Sequence, residues 1–284
     1  MQSREQIDDR LQRHPAIGSE PRLDGPRRIH PDRLKARGVK MEARVLLKSL
    51  IAPQNKPKPF VIYGRPRSGT TLLVRLLDQV PGLRCDGELL HYFLVSPLGF
   101  LARLPRRTEP DVRAYGVKLI SYHLTEVQRI RRPLAFFDRL GALDYTVLHL
   151  TRSTWDQTLS LAKAQRSGVY FSKSNAGLGG LRIDPDYFLA LLQWNEDILD
   201  YEREVMNHVD HLPLHYDDDL KNAAQHQATI NRVCAHLGLP SAPVEAKMKR
   251  TGGKDGLQTV ENLDELAAHV RQSPLAHLVP DTCA

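Results

Sequence analysis

Residues 64–73, Gly-Arg-Pro-Arg-Ser-Gly-Thr-Thr-Leu-Leu, constrain this chain more than any other stretch. The apolar run Phe60-Val61-Ile62-Tyr63 precedes them, and Leu72, Leu73, Leu76, Leu77 and Val80 follow at helical spacing. A short β-branched and aromatic run, a Gly/Pro turn and a 3.6-residue period read as strand, loop and helix. Gly64 and Gly69 let backbone N–H groups converge on an anion, and the helix start behind them adds the positive end of its dipole. A basic turn opening an ordinary α/β helix is the plainer reading. The coincidence of strand, double Gly, cation and paired Thr favours a phosphate-binding loop.

The loop differs from that of an ATP or GTP enzyme. Such a loop reads G-x-x-x-x-G-K-[ST], with the Lys on the β and γ phosphates and the hydroxyl on Mg²⁺. Gly64 and Gly69 keep that spacing, but Thr70 stands where the Lys belongs, and the positive charge sits at Arg67 with Arg65 nearby. The loop can hold a 5′-phosphate and lacks the clamp for a γ-phosphate.

From Phe60 onward strands are expected near 60–63, 115–120, 144–150 and 211–216, and helices near 70–80, 124–139, 153–166, 185–208 and 222–237. Asp184-Pro185 makes a good helix start, a capping carboxylate with Pro at the first helical position. The alternation argues an α/β fold of the P-loop type, a three-layer sandwich with a central parallel sheet flanked by helices. Ligands in such sheets bind beyond the C-terminal strand ends, where residues 64–71 and 151–152 would lie. Ser167 to Gly180, rich in Gly and Ser between two helices, reads as a mobile loop and a candidate lid.

A second segment repeats the theme. Asp144 to Leu150 reads as a buried strand, followed by Thr151-Arg152 and, eight positions after the Arg, Ser160. A residue just before a helix and one two turns into it can face one phosphate, the Arg as a permanently charged fork and the Ser as a hydroxyl donor. With the first loop, this pair resembles the sulfotransferases that use 3′-phosphoadenylyl sulfate. Gly87-Glu88-Leu89-Leu90, the strand Tyr115 to Ile120, the turn His215 to Leu220 and the stretch Met248 to Leu266 resemble the bacterial carbohydrate branch of that family, which includes the nodulation-factor sulfotransferases. The resemblance covers about residues 58–275.

The resemblance implies transfer of a sulfuryl group from 3′-phosphoadenylyl sulfate to a hydroxyl of a carbohydrate, a glycolipid or another small molecule, leaving adenosine 3′,5′-bisphosphate. It places the 5′-phosphosulfate on Arg65, Arg67, Ser68, Gly69, Thr70 and Thr71, and the 3′-phosphate on Arg152 and Ser160, with Lys249 and Arg250 folding back on it. Exposed surface charge is nearly as good a reading of the last two. Arg67 would stabilise charge on the bridging oxygen, and no metal is expected. The acceptor hydroxyl needs a general base in reach, and Glu88 and His91 are equal candidates. Cytosolic sulfotransferases use Lys-x-His on a later strand; here Lys118 is followed by Ile120, so that assignment fails, leaving Lys118 to touch the transferring group. His123 lies three residues too late and reads as structural. His208, His211, His215 and Asp217 to Asp219 straddle a helix end and a turn without a ligand spacing, and read as an acidic turn rather than a metal site.

Composition sets the remaining bounds. Residues 1–56 hold 13 Lys/Arg and 7 Asp/Glu, so nearly all of the net charge of +7 belongs to them. They divide from residues 57–284 as a basic arm and helix before the sulfotransferase-like domain. Residues 1–31, broken by four prolines, read as an extended or partly disordered arm. Residues 32–52 read as a basic amphipathic helix. Either it makes a weak contact with an acidic or membrane surface, or it packs its apolar stripe on the domain. Three cysteines without metal spacing, and no secretory or membrane-spanning run, point to the cytoplasm and free thiols. No nucleic-acid partner is expected, and the oligomeric state is not legible. The competing readings are a P-loop kinase, opposed by Thr70, and a nucleic-acid or anion-binding module, which leaves Arg152 and Ser160 unexplained.

Overall fold

A computed structural model describes residues 3–15, 20–21, 31–51, 55–167, 180–245 and 260–283. Five parallel strands form one sheet: β1 (Lys58–Gly64), β2 (Leu83–Asp86), β3 (Ala114–Ile120), β4 (Thr146–Thr151) and β5 (Leu212–His215), in the order β2-β3-β1-β4-β5. Strand β1 pairs with β3 from Lys58↔Ala114 to Gly64↔Ile120 and with β4 from Phe60↔Thr146 to Tyr63↔His149. The chain after β1 runs toward β2 and the chain after β4 runs the other way toward β5, which opens a crevice between the C-terminal ends of β1 and β4, where residues 64–69 lie.

Side chains alternate across β1, and the core follows them. Val61 and Tyr63 join the larger core with α5 (Pro133–Ala142), α6 (Thr154–Ser167) and α7 (Pro185–Met206). Phe60 and Ile62 join the second core with α3 (Thr70–Leu77) and α8 (Ala223–Leu237). Helices therefore cover both faces, which is the three-layer arrangement expected. The capping reading at α7 holds, since Asp184 accepts the Tyr187 N–H at 2.8 Å with Pro185 in the first turn. No helix among the described residues is long and apolar enough to cross a membrane.

Several elements differ from expectation, among them helices at Pro97–Arg103 and Leu263–Arg271. Strand β2 was not anticipated, because Arg84 and Asp86 interrupt its short edge sequence. The single helix expected over 124–139 is a wide helical turn at His123–Val127 followed by α5, which Pro133 restarts. The arm is not simply extended: α1 (Arg4–Leu11) opens with a reciprocal Ser3–Gln6 capping box. It buries Ile7 and Leu11 in the main core, while Asp8 accepts the Leu134 N–H at 2.8 Å and so caps α5. Helix α2 (Pro31–Ile51) forms as expected and rests beside α4 (Pro97–Arg103). Residues 246–259 and 168–179, which include Lys249, Arg250 and most of the candidate lid, lie outside the described residues.

Candidate active site

The loop after β1 is held from beneath. Ser68 Oγ donates to the Arg65 carbonyl at 2.9 Å, Gln157 to the Pro66 carbonyl at 2.6 Å, and Arg152 Nη1 to the Arg67 carbonyl at 3.1 Å. With three successive carbonyls tied to the protein, the N–H groups of the turn are left for an anion. Arg67 has φ 66°, in the left-handed region that non-glycine residues avoid. Gly69 has φ 99°, and a Cβ there would lie 2.4 Å from the Tyr216 ring, so only glycine fits at the start of α3.

Two motifs far apart in sequence meet at this loop. Arg67 Nε donates to Ser160 Oγ at 3.1 Å, across 93 positions. The Arg152 guanidinium lies 4.4 Å over the Tyr216 ring. Its Nε is buried without a hydrogen-bond partner among the described residues, a donor that an anion would satisfy. Lys163, one turn beyond Ser160 on α6, is half-buried, and burial holds its ammonium down to about 8. The acidic turn is fully engaged: Asp217 accepts the Ser153 N–H and pairs with Lys221, while Asp219 accepts the His215 N–H and pairs with Arg232. Burial opposes the charge on Asp217, but these partners outweigh it and hold the carboxyl below its usual range.

A second cluster stands beside α3. Lys118 Nζ, on β3, donates to Thr71 Oγ1 at 3.2 Å and to Glu88 Oε1 at 2.8 Å. His123 is fully buried, and its Nδ1 accepts the Ile120 N–H at 3.1 Å. That bond puts the imidazole proton on Nε2, which lies 3.8 Å from Glu88 Oε2. His91 Nδ1 lies 3.1 Å from the Tyr122 hydroxyl, and its ring stands edge-on to that of His123. Glu88, His91 and His123 bring ligand atoms within 4.8 Å of one another, close enough for a cation. The Lys118 ammonium on the same carboxylate opposes a second positive charge there.

Arg65 requires a correction. It is fully buried and points away from the loop mouth, donating to the carbonyls of Asn195 at 3.0 Å and Arg152 at 2.8 Å. Its Nε faces Glu202 at 3.9 Å, and Glu202 in turn bonds Ser121 and lies 3.3 Å from His149. Burial pulls the guanidinium down to about 10, partly offset by Glu202 and Glu196, so it stays charged at neutral pH. The side chain is thus held beneath the loop by protein groups. Ser68 and Thr70 are buried at the turn, with Thr71 facing Lys118. Sequence reasoning also missed Tyr216 and Lys163, and set His123 apart from Glu88. No local signal carries these roles, apart from the one-turn spacing of Ser160 and Lys163.

Fold and loop define an α/β protein with a Gly-containing turn after β1 that lacks the nucleoside-triphosphate lysine, and its sequence is similar to the sulfotransferases. Residues 59–133 match the model of the sulfotransferase family, a span that includes the loop, Glu88, His91, Lys118 and His123. The chain is 26% identical to nodulation protein H of Rhizobium tropici over 234 residues, 78% of this chain and 92% of that protein. A crystal structure of mouse sulfotransferase SULT7A1 with PAP shows 17% identity and a TM-score of 0.44, covering 86% of this chain and 78% of that one.

Proposed function

We propose that the protein transfers a sulfuryl group from 3′-phosphoadenylyl sulfate to an acceptor hydroxyl in the cytoplasm. The observation that carries this reading is the junction of Arg67, Ser160 and Arg152, two anion-binding motifs joined by direct hydrogen bonds at the end of β1. The donor set fits a ligand with two anionic groups: loop N–H groups, Thr70 and Thr71 for the 5′ side, Arg152 and Ser160 for the 3′ side. The donor nucleotide supplies an activated sulfate. Arg67 stabilises charge on the bridging oxygen as the bond breaks, while Lys118, reaching past Thr71, neutralises the oxygens of the group in transfer.

Glu88 takes the proton of the acceptor hydroxyl. Lys118 and the Nε2–H of His123 flank its carboxylate and aim it at one place. His91 and Tyr122 line the acceptor side. The acceptor is a carbohydrate or glycolipid hydroxyl, the class implied by the resemblance of residues 87–90, 115–120 and 215–220.

Calorimetric titration with adenosine 3′,5′-bisphosphate in EDTA, with ATP–Mg²⁺ and with a DNA oligomer tests the nucleotide reading. Tight, metal-independent binding of the first alone is the expected result; preference for ATP–Mg²⁺ overturns it in favour of a kinase. In a labelled-donor assay, Glu88→Gln loses turnover and keeps nucleotide affinity. If Glu88→Gln is active and His91→Asn is dead, the base is His91.

A further inference from the structure

Helix α2 gives only one side to the rest of the protein. Val45 is buried, and Glu42 accepts the backbone N–H groups of Val95 at 2.9 Å and Ser96 at 2.8 Å. At Gly38 the helix backbone presses against the chain, since a Cβ there would lie 1.8 Å from the Phe93 carbonyl oxygen. Residues 38, 42, 45 and 49 recur three or four apart and make one packed face.

A second apolar stripe, outside that face, is bare. Val39, Leu46, Leu47, Leu50 and Ile51 are five of the six large apolar side chains exposed among the described residues, and the sixth, Val95, belongs to the segment that Glu42 holds. Leu47 is 63% exposed, Leu50 73% and Ile51 84%, a concentration on one helix that isolated surface residues do not explain. Lys35, Arg37, Lys40, Arg44 and Lys48 are exposed along the same helix. None of the five pairs with a carboxylate among the described residues, and the helix's one acid over that span, Glu42, is occupied by the 95–96 backbone.

An apolar stripe flanked by Lys and Arg matches the boundary of an anionic bilayer, with apolar side chains at the acyl edge and ammonium and guanidinium groups on lipid phosphates. A second copy of this chain fits it less well, because a two-fold pairing would set one basic helix against another. We propose that α2 seats the protein on an anionic lipid surface, with Leu46, Leu47 and Leu50 entering the headgroup layer and Lys40, Arg44 and Lys48 on phosphates. The same helix clamps residues 93–96, just beyond Glu88 and His91, so the docked face adjoins the acceptor side of the site.

Vesicle flotation tests this on the full chain without any substrate, so its outcome is independent of the catalytic reading. Vesicles of phosphatidylcholine alone are compared with vesicles about a third phosphatidylglycerol, and binding is expected only to the second, weakening with salt. Each basic residue at such a surface is worth a factor of about five, so Lys40→Glu/Arg44→Glu/Lys48→Glu lowers the partition by more than about 100-fold. Leu46→Ser/Leu50→Ser lowers it at least about tenfold at unchanged charge. These side chains are exposed, so melting curves of the variants should match the parent. The proposal is overturned by equal binding to both vesicles, by no binding, or by indifference to the leucine pair. It is also overturned if sedimentation velocity shows a dimer that the leucine pair abolishes while vesicles bind nothing, or if a DNA oligomer binds instead.

Discussion

Replacing Arg65 by Met separates a strut from a ligand. The side chain is fully buried, its two Nη groups donate to the Asn195 and Arg152 carbonyls, and Nε faces a Glu202 carboxylate that is itself fully buried. Met fills much of the volume but leaves the buried Glu202 carboxylate with only Ser121 and His149 beside it among the described residues. A hydrogen bond to a charged group is worth about 1.5–3 kcal/mol, and breaking a buried pair from one side costs about 3–5 kcal/mol in all. The two figures describe overlapping contacts, so the expected loss is about 3–5 kcal/mol out of a total of about 5–15. With an m-value of about 3 kcal/mol/M, the urea midpoint moves by more than about 1 M. Glu202→Gln should fall in the same direction, since it leaves the guanidinium buried against a neutral amide. The assay is urea unfolding followed by fluorescence, paired with nucleotide titration of the folded fraction. A variant with the parental midpoint and no nucleotide binding would refute the strut and return Arg65 to the ligand set.

Other outcomes follow from the same geometry. Arg152→Lys keeps the charge but loses the fork and the orphaned Nε, so affinity for adenosine 3′,5′-bisphosphate should drop about 10- to 100-fold by calorimetry; an unchanged affinity would remove Arg152 from the site. Gly69→Ala forces φ 99° on a residue with a Cβ that meets Tyr216, and should cost about 1–3 kcal/mol of stability in thermal unfolding together with nucleotide affinity. Lys163 sits near 8 through burial against an ordinary 10.5, so the unfolded chain holds that proton more tightly and stability should rise with pH between those values. An anion bound nearby raises the lysine again, so nucleotide binding at pH 8.5 should take up a proton, seen by calorimetry in buffers of different ionisation enthalpy, and Lys163→Met should abolish the uptake. Arg67→Ala should lower kcat more than about 100-fold with a smaller change in nucleotide affinity.

The sequence carried those parts of the fold whose signal is local. β1, β3 and β4 are mostly apolar runs, interrupted by Lys118 in β3 and His149 in β4, and the start of α7 is marked by Asp184-Pro185. Edge strand β2 was hidden because Arg84 and Asp86 break its run, and α1 because eight residues held by a capping box and two buried side chains look polar in isolation. The candidate site divides in the same way. Arg67, Thr71, Arg152 and Ser160 are spaced within their own segments, so their placement around the end of β1 was legible from spacing and resemblance. Arg65 stands two residues from Arg67 with the same chemistry, and only the buried Glu202, 137 positions along the chain, turns it inward. His123 looked misplaced as a count of residues from Lys118. The wide turn at His123–Val127 folds it back under Glu88, a displacement that strand periodicity cannot express.

That inward turn of Arg65 bears on catalysis more than on stability alone. Arg65 Nη2 holds the Arg152 carbonyl, Arg152 Nη1 holds the Arg67 carbonyl, and Arg67 Nε reaches Ser160, so a chain of three hydrogen bonds runs from Arg65, which faces the buried Glu202 at 3.9 Å, to the loop mouth. Gln157, from α6 like Ser160, fixes the Pro66 carbonyl in between. Each link orders a cation or a carbonyl before any ligand arrives, which in the proposed reaction would lower the reorganisation needed when charge develops on the leaving oxygen. The strained φ of Arg67 is sustained by this chain, because a surface arginine without such anchors would relax out of the left-handed region. Substitutions at Glu202 or Gln157, neither of which touches the loop mouth, should therefore lower kcat before they lower nucleotide affinity. Steady-state kinetics on Gln157→Leu decides the point: a rise in KM for the donor at unchanged kcat would show that the chain serves binding alone and that the loop needs no ordering for the chemical step.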